Sequence, residues 1–230
     1  MGAHRSAEEV EREHLGVLGP ELGPTYHVLY EEVTWLHAKW NQYRQLYATP
    51  QTVDLLNRTA GFFFRVIQDV LWEDVVLHIA RLTDSPKSMG KANLTLRRLP
   101  EVITIPELAA EVENLVDKVQ KESAFARDWR NRRIAHRDLS LALDVEAEPL
   151  QAVSRAQVER VLSAIRAVLN KIHGHFWRDQ AVAFDHFLAH DDAEALTYYL
   201  GVAAKAEDAT QERLRQGRPL PEDLEPKGEV

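Results

Sequence analysis

Cysteine is absent from this sequence of 230 residues. Its absence excludes disulfide bonds, thiolate metal sites and a cysteine nucleophile, and it fits a reducing, cytoplasmic setting. Positive charge is also scarce, because 28 lysines and arginines stand against 36 aspartates and glutamates and leave a formal net charge of −8. A protein that coats duplex DNA usually carries the opposite sign. Any contact with nucleic acid is therefore expected to be local rather than spread over a broad basic face.

The sequence also lacks a long apolar run. Its most apolar stretch, Phe62–Leu82, is interrupted by charged side chains, whereas a membrane span needs about 20 mostly apolar residues. Residues 1–13 are polar and charged and lack the apolar centre of a signal peptide. No glycine-rich phosphate loop is present either. We therefore expect no membrane segment and no phosphate-binding loop of that kind.

What the sequence does contain is helical periodicity. It is 45% hydrophobic and 28% charged, a normal globular balance that allows one sizeable core. The apolar spacing predicts an all-α fold, an up-and-down helical bundle of four main helices plus shorter C-terminal helices. The predicted helices span residues 25–47, 52–83 and 106–137, a fourth that begins after the N-cap Ser154 and is interrupted at Gly174, and then 180–189 and 193–214.

Helix-breaking residues and charge set the predicted domain limits. Pro20 and Gly23-Pro24 precede the first helix, so residues 1–23 are predicted to be a flexible N-terminal tail. Residues 24–216 form the predicted helical domain. Prolines and many charges make residues 217–230 a predicted disordered C-terminal tail.

The second predicted helix carries apolar residues on more than one face, among them Phe63, Val66 and Val70. A helix that is apolar over most of its girth usually lies at the centre of a bundle, and we expect that position here. Its polar residues recur at four-residue steps and predict ion-pair ladders along a helix edge, with a carboxylate facing a functional cleft as the alternative: Arg65, Asp69 and Glu73, and then Asp74 and His78.

The third predicted helix has an apolar seam that becomes cationic towards its C-terminal end. The same alternating steps of three and four residues continue from the apolar positions to Arg133 and His136. The apolar positions are Leu108, Val112, Leu115, Val119, Ala126 and Trp129. This change of character singles out the segment Trp129–Asp138 as the candidate functional region.

That segment packs four arginines and one histidine into ten residues. Arginine suits phosphate because its planar fork donates two parallel hydrogen bonds to two oxygens. Histidine exchanges a proton near neutral pH. Together, these two side-chain types are sufficient for metal-independent RNA cleavage. In that reaction the ribose 2′-hydroxyl is the nucleophile, and the protein positions the phosphate and moves a proton. The spacing alone is weak evidence, because Arg166 and His173 form a similar pair in an ordinary amphipathic helix.

The order of several short motifs resembles the HEPN superfamily, and within it the abortive-infection, AbiU-like branch. Arg130-Asn131 is followed by Ile134-Ala135-His136 near the end of a long helix, as in the motif of that superfamily. The resemblance covers roughly residues 26–176. The accompanying motifs are Leu71-Trp72-Glu73-Asp74, Ile79-Ala80-Arg81-Leu82-Thr83-Asp84 and Asn93-Leu94-Thr95-Leu96.

The resemblance implies that residues 24–216 are a HEPN-like helical domain, usually a homodimer whose arginine and histidine line a cleft between protomers. Carried over by position, Arg130 holds a phosphate, Asn131 orders the cleft and His136 moves the proton, with Arg133 and Arg137 as supporting charges. The implied role is RNA binding, with or without cleavage, in phage defence or a toxin–antitoxin pair. An antitoxin partner is then expected, and no metal and no cofactor.

Other interpretations of the same residues stay open. Asp128, Arg132 and His136 are four apart, as in a surface ladder of charge pairs. His186 and His190 have the spacing of two metal ligands on one helix face, although no third ligand is assured. The acidic net charge also suits a non-catalytic interaction or nucleotide-binding module. On a regular helix Arg130 and His136 lie about 120° apart, so a common phosphate needs a helix distortion or a two-fold dimer.

Overall fold

The structure is a computed structural model that describes residues 6–88, 90–134, 139, 143, 150, 152–178, 180–184 and 191–224. Its described residues are mostly helical, which confirms the predicted all-α class. The chain divides into two compact units. The first comprises Met1–Trp40 and Leu71–Phe187, and the second comprises Asn41–Val70 and Leu188–Val230.

The helix α1 covers Ala7–Tyr47, so it begins well before the predicted start at residue 25. The turn at Gly19, with a φ of 78°, bends the helix. A proline is compatible with the first turn of a helical segment, and Pro20 therefore restarts the helix after the bend instead of ending it. The prediction that residues up to Gly23 precede the first helix is wrong for residues 7–23. Within the first unit the buried face of α1 comprises His14, Leu18, Leu22, Tyr26, Leu29, Val33, Leu36 and Trp40.

The helix α2 covers Pro50–Leu82, close to the predicted 52–83, but its backbone leaves the helical conformation at Ala60, where φ is −150° and ψ is 58°. In the first unit its last turns are buried, including Val75 and Ile79. In the second unit it buries Phe64 but exposes Phe63, Val66 and Val70. The prediction that α2 is enclosed on most faces is therefore wrong for its central turns, because periodicity alone does not tell which apolar face is covered.

A short β-hairpin follows α2. Its strands, β1 (Lys87–Ser88) and β2 (Lys91–Ala92), have two residues each and are antiparallel. Gly90 has a φ of 80° between the two strands, a conformation that glycine adopts without strain. A 3₁₀ turn at Leu96–Arg98 and the single-turn helix α3 (Leu99–Val102) then lead to the third long region.

The third region is divided into helix α4 (Pro106–Glu122), helix α5 (Ala124–Trp129) and a π-helical segment, Arg130–Ile134. The single continuous helix predicted over 106–137 is therefore wrong. The break lies at the buried Ser123, whose hydroxyl contacts the carbonyl of Gln120 at 3.5 Å. A serine that bonds its own backbone competes with helix continuation.

The helix α6 (Arg155–Phe176) packs against α4. Its predicted N-cap is confirmed: the Ser154 hydroxyl accepts from the Gln157 amide at 3.2 Å, and the Gln157 side chain accepts from the Ser154 amide at 2.7 Å. The helix continues through Gly174, so the predicted interruption there is wrong. Its buried face matches the predicted apolar set: Val158, Val161, Leu162, Ile165, Val168, Leu169 and Ile172.

In the second unit, helix α7 (Ala193–Arg215) confirms the predicted 193–214 helix. Its N-cap is Asp192, which accepts from the amides of Glu194 and Ala195 at 3.1 and 3.3 Å. A 3₁₀ turn at Pro221–Leu224 follows, and Asp223 pairs with Arg213 there. Residues 221–224 are thus ordered as a turn inside the stretch predicted to be disordered. The described part of the predicted 180–189 helix, residues 180–184, is not helical.

Candidate functional site

The candidate segment begins where the chain departs from a regular helix. Residues Arg130–Ile134 follow α5 as a π-helical segment. A π-helix closes its hydrogen bonds over five residues instead of four, and such segments are frequent at functional sites. The 120° separation expected for a regular helix therefore does not apply to this stretch. His136 and Arg137 lie outside the described residues.

The guanidinium of Arg130 is held by Asp84, two positions after the end of α2. Its Nη1 group donates to both carboxylate oxygens of Asp84. Its Nε donates to Oδ1 of the neighbouring Asn131 at 3.0 Å. Both members of the ion pair are only about one-quarter exposed. Asn131 and Asp84 thus both fix the direction of the Arg130 guanidinium, and Asp84 also compensates its charge.

A second arginine, Arg127, fastens the end of α2 to α4 and α5. Its guanidinium donates to the Gln120 carbonyl at 2.9 Å and to the Ser123 and Thr83 hydroxyls at 3.2 and 3.5 Å. Gln120 in turn donates to the Thr83 carbonyl at 2.7 Å. Burial lowers the pKa of Arg127, and the nearby Asp84 carboxylate opposes that shift. This network sets the position of Asp84, because Thr83 precedes it directly.

Arg133 points to a different acidic partner. Its Nε lies 3.2 Å from Oε1 of Glu73, and its guanidinium carbon lies 5.7 Å from the centre of the Trp129 ring. Trp129 meets Trp72 edge to face at 6.2 Å. A half-exposed arginine such as Arg133 can keep its charged guanidinium in contact with water while its methylene groups pack on neighbouring apolar surface. Arg133 is therefore beside the Arg130 site and is not part of the Asp84 pair.

The ladder interpretation holds for one charge pair of the segment, since Arg132 lies 3.6 Å from Asp128, four residues earlier. On α2, Arg65 and Asp69 form the predicted ladder at 3.4 Å. Asp74 pairs instead with Lys39 of α1. The ladders predicted along α2 are therefore only partly formed.

His78 is a buried histidine in a polar cluster that joins α1 and α2. Its Nε2 lies 2.8 Å from Glu32, and Arg81 reaches the same carboxylate at 3.5 Å. Burial, with the nearby positive charge of Lys39, lowers the pKa of His78 to about 4, although Glu32 acts in the opposite direction. His78 is therefore neutral at neutral pH, and this cluster holds the two helices together.

The part of the chain that the structure describes contains no group of three histidine, aspartate or glutamate side chains arranged to hold a metal ion. His186 and His190, the pair with metal-ligand spacing, lie outside that part. Among the same residues, no helix is long and apolar enough to cross a membrane.

Sequence reasoning identified Arg130, Asn131 and Arg133 but not their acidic partners. Asp84 ends one of the motifs that carry the family resemblance, Ile79–Asp84, and that was the available signal. Nothing in the local pattern around Arg127 indicated its bonds to Thr83 and Gln120. The contact of Arg127 with Thr83 spans 44 positions, and helical periodicity does not report such a contact.

Comparison with known families places these features in context. The family model HEPN_AbiU2, described as AbiU2, matches residues 19–196. No curated protein and no solved structure matches the chain. The match includes the Asp84–Arg130 pair, the π-helical segment and the helices that carry them, and it extends on both sides of the predicted region of resemblance. Because the model spans well over half of the sequence, this chain belongs to the AbiU2 family of HEPN proteins.

Proposed function

We propose that this chain binds RNA and cleaves it by metal-independent transesterification, in an abortive-infection or toxin–antitoxin role in the cytoplasm. The observation that carries the proposal is Arg130, held by Asp84 and Asn131 at the start of a π-helical segment in a chain of the AbiU2 family. A guanidinium held in this way is pre-oriented for a phosphate.

In the proposed reaction, Arg130 binds a non-bridging oxygen of the phosphate. His136 takes the proton of the ribose 2′-hydroxyl, and the 2′-oxygen attacks the adjacent phosphorus. The bond to the 5′-oxygen breaks, that oxygen receives a proton from water, and the fragment that carried the 2′-hydroxyl ends in a 2′,3′-cyclic phosphate. The proton that His136 took is released to water, so the step is neutral in protons. Arg130 stabilises the negative charge that develops on the phosphoryl oxygens. Asn131 orders the cleft, and Arg133 and Arg137 are supporting charges.

The proposal also includes a homodimer. In a two-fold assembly each cleft can combine residues of both copies, which removes the need for Arg130 and His136 of one chain to converge alone. An antitoxin is the expected macromolecular partner of a chain in a toxin role.

A ribonuclease assay on purified protein tests this function. Wild type is compared with Arg130→Ala and His136→Ala, and Arg215→Ala and His175→Ala serve as matched controls on exposed side chains. Loss of general acid–base help should lower the rate of His136→Ala by about 10²–10⁴-fold. Both controls should keep the wild-type rate. Equal cleavage by all five proteins would remove Arg130 and His136 from the mechanism.

The ion pair itself favours a second candidate, an AbiU2-type module that binds nucleotide or RNA without turnover. Asp84 compensates the charge of Arg130, and this compensation weakens the stabilisation of a transition state. Under this alternative, nucleoside phosphates raise the melting temperature of wild type but not of Arg130→Ala, and no cleavage is seen. Turnover by purified wild type would exclude it.

A further inference from the structure

Three tryptophans of the first unit form a row of ring contacts that ends beside the candidate site. Trp40 is buried, and its indole Nε1 donates to Glu159 of α6 at 2.7 Å. The ring centre of Trp72 lies 6.3 Å from that of Trp40 and 6.2 Å from that of Trp129. Trp72 and Trp129 are both partly exposed, so the row runs from the core to the surface. These contacts hold the Trp129 ring in a defined position before any ligand arrives.

Trp129 stands next to the proposed phosphate site. It is the last residue of α5, and Arg130 follows it directly as the first residue of the π-helical segment. Their Cα atoms are therefore about 3.8 Å apart. Neighbouring side chains of a helix diverge, as the base and the phosphate of one nucleotide diverge from its ribose. A phosphate held by Arg130 thus has its adjoining base within reach of the Trp129 ring.

The side chain that lies over Trp129 indicates which chemical class the ring binds. The guanidinium carbon of Arg133 is 5.7 Å from the ring centre, and its Nε lies 3.2 Å from Glu73. A positive charge over the ring disfavours a cationic ligand such as a quaternary ammonium. It favours a neutral planar group, because indole rings and guanidinium planes both stack on nucleobases.

The space between Arg133 and Trp129 is close to what a base needs. A base with a partner on each face requires about 7 Å between those partners, or two stacking distances of about 3.4 Å. From the observed 5.7 Å, this requires Arg133 to move outwards by roughly 1 Å. Arg133 is 52% exposed, and such a side chain makes a shift of that size without disturbing the core.

We propose that Trp129 is a specificity-determining residue on which a base of the bound RNA stacks, with Arg133 on the other face of that base. This inference rests on the phosphate site of the proposed function and adds a base site to it. Stacking on an aromatic ring accepts every base, with a preference for those that stack most strongly. The ligand is therefore a nucleotide with an unpaired base, since both faces of a base within a duplex are covered by its neighbours.

Competition against a labelled single-stranded RNA, followed by fluorescence anisotropy, measures what the base contributes to binding. Adenosine 5′-monophosphate and ribose 5-phosphate share the sugar and the phosphate and differ by the base. Wild type should bind the nucleotide about ten- to a hundredfold more tightly than the sugar phosphate, the range expected for one base on one aromatic ring. A wild type that binds the two ligands equally overturns the proposal.

The substitution Trp129→Leu should remove this base preference. Its affinity for ribose 5-phosphate should stay at the wild-type value because Arg130 still binds the phosphate, and the two ligands should then bind about equally. A loss of folding would instead weaken both ligands. The matched control is Trp35→Leu, which removes an exposed indole of α1 in the same unit and should keep the wild-type preference. A Trp129→Leu protein with the wild-type preference overturns the proposal.

A conservative variant gives a second test that does not depend on removing the ring. Adenosine 5′-monophosphate should quench part of the tryptophan fluorescence of wild type, because a base stacked on an indole quenches its emission. Trp129→Phe keeps an aromatic ring against Trp72, so it should retain most of the base preference and lose most of the quenching. Trp35→Phe should retain both. Equal quenching in wild type and Trp129→Phe would show that the base stacks elsewhere.

Cleavage assays on the same proteins separate this inference from the function on which it rests. If wild type cleaves RNA, Trp129→Leu should raise KM by about tenfold and leave kcat nearly unchanged, because the stacking is present both before and during the reaction. If wild type does not cleave RNA but its base preference depends on Trp129, the proposed activity fails and the base site stands. If wild type cleaves RNA while Trp129→Leu keeps the wild-type KM and base preference, the base site fails alone.

Discussion

Arg130 already uses part of its hydrogen-bonding capacity inside the protein. Its Nη1 binds both oxygens of Asp84, and its Nε binds Asn131. A phosphate that enters this site therefore meets a guanidinium whose direction is set and whose charge is partly balanced. Asp84 is best described as a positioning residue for Arg130.

The substitution Asp84→Asn should separate orientation from charge. The amide side chain would offer one acceptor and one donor in place of two carboxylate oxygens, so Arg130 loses its two-point support while the site gains net positive charge. We expect tighter RNA binding, seen as a lower KM, and a kcat lower by about tenfold because the guanidinium is less well placed. Asp128→Asn, which makes the same charge change beside Arg132, is the control. Unchanged kcat in Asp84→Asn would show that Asp84 does not position the arginine.

His78 should make folding sensitive to acid. Its folded pKa is lowered to about 4 by burial, whereas an unfolded histidine titrates near 6.5. The unfolded state therefore binds more protons below about pH 6.5, and the stability of the fold falls as the pH drops from there towards about 4, by about 3 kcal/mol in all. Urea unfolding at several pH values should show a steeper acid loss for wild type than for His78→Gln. The exposed His175→Gln should keep the wild-type slope, and equal slopes for all three proteins would contradict this account.

At the scale of elements, the strongest amphipathic patterns were predicted well. Ser154 and the buried face of α6 follow from one regular period and one capping box. The start of α1 was missed because Pro20 was interpreted as a helix breaker, although it follows the left-handed Gly19 and fits the first turn of a new segment. The break at Ser123 and the π-helical segment were not predicted, because both interrupt a region whose apolar period continues through them.

The bend in α1 gives a matched pair of substitutions. Gly19 has a φ of 78° and Gly16 lies in the regular part of the helix, and a Cβ atom at either position meets no atom within 4 Å. Gly19→Ala should therefore destabilise the protein by about 1–2 kcal/mol through backbone strain alone. Gly16→Ala should stabilise it by roughly 0.5–1 kcal/mol, because alanine is the better helix former. Relative to wild type, the melting temperature should fall for Gly19→Ala and rise for Gly16→Ala in thermal unfolding. A change in the same direction for both variants would contradict the bend.

The candidate site was also predicted only in part, because some of its contacts join distant parts of the sequence. The sequence pointed to Arg130 and Asn131 because arginine, a polar neighbour and a nearby histidine are the chemistry that a phosphate needs. It did not point to the pairing of Arg130 with Asp84, because their contact spans 46 positions. Such a contact follows from how the end of α2 packs against the region after α5, and packing is the information that a single sequence carries least directly.

At the scale of the whole molecule, the proposed function requires a chain with a net charge of −8 to bind RNA through a small cationic region. The described arginines near that region, Arg127, Arg130, Arg132 and Arg133, each have a partner within the protein. Few phosphates can therefore be neutralised on binding. The family match over residues 19–196 takes in parts of both compact units, so the AbiU2 assignment concerns most of the chain and not the motif alone.

The salt dependence of RNA binding should reflect this small contact. For one or two neutralised phosphates on a single strand, the logarithm of the association constant should fall against the logarithm of salt concentration with a slope of about −1. Fluorescence anisotropy with a labelled single-stranded RNA at several salt concentrations measures the slope. A slope several times steeper would indicate a broad basic surface, which this charge distribution does not provide.

The most direct measurement of the central claim is the chemical analysis of RNA ends after incubation with purified protein in the presence of a metal chelator. The account predicts fragments that end in a 2′,3′-cyclic phosphate from wild type, and a large loss of those fragments from Arg130→Ala and His136→Ala. Fragments that carry a 3′-hydroxyl and a 5′-phosphate, or equal amounts of cyclic phosphate from all three proteins, would contradict it.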